Sequence, residues 1–182
     1  MFNLNIFIVL LFFIGAIAVF LAWYTHKYMN ANNIKKIEMI PRNVLLGVIF
    51  AIVDVLWCTP QAVEIFAHSS ELFIWGIAIA ALVVGCCFLD YLFARALAGF
   101  LILLSHYFLR ASFGADIPLI WLFSTACLLL GVVGILFGGV PHIFRDFLRK
   151  LCNSKSWKKI FITVFFVYAV IMLTTGTFLV IK

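Results

Sequence analysis

Three uninterrupted apolar runs, Phe2 to Tyr24, Ile117 to Val140 and Ile160 to Ile181, dictate the fold class before anything else in the chain is considered. Crossing about 30 Å of hydrocarbon takes roughly 20 helical residues, and each run meets that length. Water does not reach the backbone at that depth, so N–H and C=O groups must pair within the segment, which makes it an α-helix. Composition excludes a soluble core: 66% of the 182 residues are apolar and 11% are charged, against about a quarter charged in a soluble domain. So much apolar surface exceeds what one compact core hides, and the bilayer must solvate the remainder. The first run lacks a basic leader and is too long for a cleaved signal, so it is expected to stay as a span.

Three further runs are weaker. Val44 to Ala67 has spanning length but contains Asp54 and Glu64, Leu72 to Leu89 is short and free of charge, and Ala96 to Leu109 is interrupted by Ser105 and His106. Charge bias decides whether the last of these crosses, because Lys and Arg concentrate in cytoplasmic loops. One connection carries Lys27, Lys35, Lys36 and Arg42, and another carries Arg145, Arg149, Lys150, Lys155, Lys158 and Lys159. Both belong on one side, which requires an even number of crossings between them, so the weak segment has to span. The expectation is an all-α polytopic membrane helical bundle forming a single transmembrane domain over residues 1–182. Its six transmembrane helices are placed at about 2–25, 44–67, 72–90, 94–112, 117–140 and 160–181. Basic loops 26–43 and 142–159 are cytoplasmic and both termini extracytoplasmic, with a bacterial cytoplasmic membrane as the simplest setting.

Pro41 and Pro141 suit helix boundaries. Between them and the neighbouring spans, residues 142–151 alternate apolar and basic side chains, as in a helix lying in the membrane interface or a snorkelling extension of the fifth span. Trp23, Tyr24, Trp75, Trp121 and Trp157 sit near expected boundaries and read as an aromatic belt. Asp90 and Arg95 flank a tight turn that a local ion pair would close. The net charge of +6 does not imply nucleic acid, because the basic residues sit in two connections and not along a stripe.

The second span holds the most chemistry. At about 100° per residue, Asp54, Cys58, Gln61, Glu64 and His68 fall within a sector of about 120°, so one face of this helix is polar. Lipid penalises such a face, which should meet other helices, a partner subunit or water. Asp54 and Glu64 stand ~15 Å apart along the axis, too far to share a proton. Pro60 removes one backbone hydrogen bond between them. On the fourth span Ser105, His106 and Arg110 approach the same outer surface, where Glu64 and Arg110 could pair, either fastening two helices or lining a pocket for an ion, a proton or a small polar ligand. Gly131, Gly134 and Gly138 make a smooth strip on the fifth span, suited to close helix packing.

Catalytic motifs are missing: there is no G-x-S-x-G elbow, H-E-x-x-H, P-loop or dinucleotide fingerprint. The five cysteines have no C-x-x-C spacing, so neither a disulfide framework nor a zinc site is expected. Histidines pair by depth, His68 with His106 and His26 with His142, as bis-histidine haem b ligation would need, although no cofactor is the expected state. Three functions remain. A small non-catalytic subunit, packed with other membrane subunits or with itself, suits the small size and the polar face. A small oligomeric carrier or channel would use Asp54 and Glu64 on an ion or proton. A haem-bearing membrane anchor would use His68 and His106.

Overall fold

The computed structural model describes residues 4–66, 70–89, 91–115, 117 and 119–181, and among these every regular element is helical. In chain order the α-helices are α1 (Leu4–Tyr28), α2 (Ile34–Glu38), α3 (Val44–Ile65), α4 (Glu71–Phe88), α5 (Leu92–Ser112), α6 (Ile120–Gly139), α7 (Pro141–Asn153) and α8 (Lys155–Ile181), with single 3-10 turns at Ala31–Asn33 and Ile40–Arg42. Six of them, α1, α3, α4, α5, α6 and α8, are long and apolar enough to cross a membrane. Side-chain oxygens set three of the starts: Asn43 accepts from the Leu46 amide at 3.1 Å, Ser70 from Phe73 at 3.3 Å and Ser154 from Trp157 at 3.5 Å. Each satisfies an amide that the first helical turn cannot. α8 begins at Lys155, earlier than the apolar run at Ile160, because exposed lysines can extend a span by reaching back to water.

The chain divides into two compact units. One comprises Met1–Ile37, Ser105–Leu130 and Asp146–Lys182; the other comprises Glu38–Leu104 and Gly131–Arg145. In the first, α1 and α8 run antiparallel. Gly15 receives Met172 and Leu173, Gly176 receives Leu11 and Phe12, and Lys158 Nζ donates to the Met29 carbonyl at 3.0 Å and to Asn30 Oδ1 at 3.1 Å. The start of α1 and the end of α8 therefore share one end of this unit. The two basic connections meet at the other. Near the start of α1 the buried Phe7 lies edge-on to Tyr107, Phe108 and Phe123, with ring centroids 6.4, 5.9 and 6.3 Å away.

In the second unit α3 and α5 run parallel. Gly47 packs on Leu92 and Phe93, Phe50 on Phe93 and Phe100, Asp54 on Gly99, and Trp57 on Phe100, so contacts advance in step along both helices. Two parallel neighbours need a return crossing between them, and α4, packed on α3, supplies it. The weak apolar segment around residue 100 is thus part of a full-length helix. α6 meets α5 antiparallel, Gly134 lying against Ala98, Leu101 and Ile102 and Gly138 against Ala98.

α7 is a helix in its own right, set off from α6 by the single non-helical residue Val140. Phe144, Leu148 and Leu151 recur at helical spacing and are buried, while Arg149 and Lys150 on the opposite face are exposed. Its apolar stripe is spent on the protein: Phe144 packs against Phe93 and Phe137 in one unit, and Phe147 against Phe161 in the other.

Candidate functional site

Asp54 is the eleventh of the 22 residues of α3 and lies where that helix passes α5. Its neighbours one turn either way on the same face, Phe50 and Trp57, both meet the ring of Phe100 edge-on, at 5.4 and 5.9 Å between centroids. Between these aromatic contacts the carboxyl group rests on Gly99. A Cβ at Gly99 would stand 2.7 Å from Asp54 Oδ2, so the absence of a side chain there is what makes room for the acid. Asp54 Oδ1 is buried and has no hydrogen-bond partner among the described residues. Burying a carboxyl oxygen without a partner is costly, which singles this group out from the rest of the span.

The remainder of the polar stripe is laid bare. Cys58 and Glu64 are exposed and Gln61 is half-buried, and His68 lies outside the described residues. Near Pro60, whose ring nitrogen cannot bond the Leu56 carbonyl, the buried Thr59 hydroxyl donates to the Val55 carbonyl at 2.6 Å. On α5, Ser105 is buried and donates to the Cys127 carbonyl at 2.7 Å, which ties α5 to α6 and engages the hydroxyl structurally. His106 and Arg110 are exposed one turn apart. Glu64 belongs to one unit while His106 and Arg110 belong to the other. His26 and His142 are both exposed. Of the glycine strip, Gly131 is half-buried, and a Cβ on Gly134 would come within 2.9 Å of the Ala98 carbonyl oxygen. A Cβ on Gly138 would come within 3.3 Å of the Ala98 side chain. Asp90, proposed to close a turn with Arg95, lies outside the described residues. No cluster of three or more His, Cys, Asp or Glu side chains able to hold a metal occurs among those described.

A second constellation sits at the basic end of the same unit and has no local signal in the sequence. Tyr91 precedes α5 with a left-handed φ of 59°, which side chains rarely adopt. Arg42 Nη2 donates to its hydroxyl at 2.8 Å and Arg145 Nη1 at 3.4 Å, and the Arg42 guanidinium lies 5.0 Å from the ring centroid. Cation–π stacking and two charged donors hold the residue in its strained backbone state. The same donors, Arg42 foremost, bring the phenol below its ordinary value of 10.0. Residues 42, 91 and 145 come from three different connections. Their meeting gathers both basic loops and the α4–α5 turn at one end of the unit.

No protein-family model matches the chain, and no curated protein and no solved structure matches it. The class therefore follows from the helices alone. They define an integral membrane protein, all-helical in its described residues, with six helices suited to span the bilayer and apolar surfaces suited to contact lipid.

Proposed function

We propose that the protein is a small non-catalytic subunit that packs within a larger assembly of a bacterial cytoplasmic membrane, on other subunits or on further copies of itself. The hairpin of α3 and α4 carries the reading. α4 contains no buried residue, and α3 buries only Gly47 and Thr59. Lipid can cover the apolar part of that surface but is a poor neighbour for half-buried Gln61, one turn inside the exposed Glu64 at the helix end, and this polar edge suits another protein. The lack of catalytic motifs agrees with a packing role. Photo-crosslinking side chains placed at Ile79 and Val83, which are 53% and 55% exposed on α4, test it in native membranes. The expected products are adducts heavier than the 20.6 kDa chain. One at twice that mass identifies a second copy, and any other mass identifies a different subunit. A chain that yields no adduct from either position and purifies in mild detergents only as a monomer overturns the proposal.

A further inference from the structure

We infer that Asp54 is a proton-binding site inside the bilayer, its carboxyl group taking up and releasing H⁺ in the notch that Gly99 opens on α5. The inference goes beyond an assembly role and holds whether or not the chain has partners. Three observations point to a ligand as small as a proton. The acid sits at the middle of α3, a helix long and apolar enough to span the bilayer. Oδ1 is sealed from solvent with no hydrogen-bond partner among the described residues, and Oδ2 faces a glycine. The flanking side chains Phe50 and Trp57 are aromatic and occupied with Phe100. A metal cation would need several more oxygen ligands than this wall offers, whereas a proton needs only the carboxylate. An isolated ionised carboxylate is costly in hydrocarbon and its neutral acid far less so, so binding and release of H⁺ is the chemistry this position can perform.

Its own helix and each helix packed against it carry other titratable groups. On α3 these are Cys58, one turn away, and Glu64, ~15 Å along the axis. α4 brings Glu71, Cys86 and Cys87, and α5 brings Arg95, one turn before Gly99 and exposed. None of them forms a hydrogen bond with the sealed Asp54 Oδ1.

The hydrophobic reagent dicyclohexylcarbodiimide tests the site on the full chain in lipid vesicles. It reacts with the protonated acid only: the carboxyl O–H gives its proton to a carbodiimide nitrogen while the oxygen adds to the central carbon. The resulting O-acylisourea rearranges to a stable N-acylurea. Peptide mass spectrometry is expected to find the adduct at Asp54, its rate falling about tenfold per pH unit above a midpoint. Asp54→Asn removes the adduct. Infrared difference spectra of the unmodified protein provide a second readout, an acid C=O band that titrates with the same midpoint and is missing from Asp54→Asn. Gly99→Ala, which pushes a methyl group against Oδ2, is expected to move that midpoint. An Asp54 that stays unlabelled at every pH, or is labelled at a rate independent of pH, overturns the inference. So does protection by sodium at constant pH, which makes the ligand a metal cation.

Discussion

Tyr91 shows how much a single side chain can hold together without announcing itself. Its partners Arg42 and Arg145 are 49 and 54 residues away in the chain, so nothing local marks it. The two guanidinium groups favour the phenolate, which lowers the folded-state value from 10.0. Unfolding releases Tyr91 from both and returns it to the ordinary value, so over the interval between the lowered value and 10.0 the unfolded chain binds more protons. Stability therefore rises with pH across that interval, and the contribution is lost as pH falls through the lowered value. An ultraviolet titration of the folded protein should show a phenolate component below 10.0 that disappears in Tyr91→Phe, while the aromatic ring still stacks with Arg42. High salt should shrink the difference, since the group lies near solvent. Superimposable titrations of the two proteins below that pH would remove the arginine effect.

Between helices, contact is decided by where side chains are missing. The spacing of Gly131, Gly134 and Gly138 was readable as a smooth strip, but not which member bears the closest approach or what it approaches. Gly134 faces a backbone oxygen of α5, which cannot rotate away, whereas Gly139 next along has nothing within 4 Å of its would-be Cβ. Gly134→Ala should therefore cost about 1–3 kcal/mol, and Gly139→Ala should be neutral or gain up to about 0.5–1 kcal/mol from helix propensity. Unfolding in mixed micelles of mild and denaturing detergent measures both. Equal effects at the two positions would mean that the α5–α6 approach is looser than 2.9 Å. The Asp54 site was half legible for the same reason. An acid in an apolar span identifies itself by composition, but Gly99 looks like any helical glycine until α3 is laid beside it, and that pairing is a property of the fold.

The six spans were legible because hydrocarbon thickness fixes helix length, and because the basic connections demand an even number of crossings. The division into two units was not, since it depends on which helices touch rather than on any one run of residues. What the chain does resisted sequence reading for a different reason: spans and short loops consume nearly every residue and leave few whose chemistry is unusual. Contacts do bear on the topology. Lys158 with Met29 and Asn30 in one unit, and Tyr91 with Arg42 and Arg145 in the other, bring both basic connections together inside each unit. The antiparallel pairing of α1 and α8 puts the first and last spans' free ends at the opposite end of the first unit. With the basic end cytoplasmic, single cysteines replacing Lys35 and Lys155 in a cysteine-free background should resist an impermeant maleimide in intact cells and react after lysis. A cysteine replacing Ile181 should react in intact cells. Opposite reactivity at positions 35 and 155 would separate the basic connections across the membrane, and with them the parallel run of α3 and α5 that seats Asp54 on Gly99.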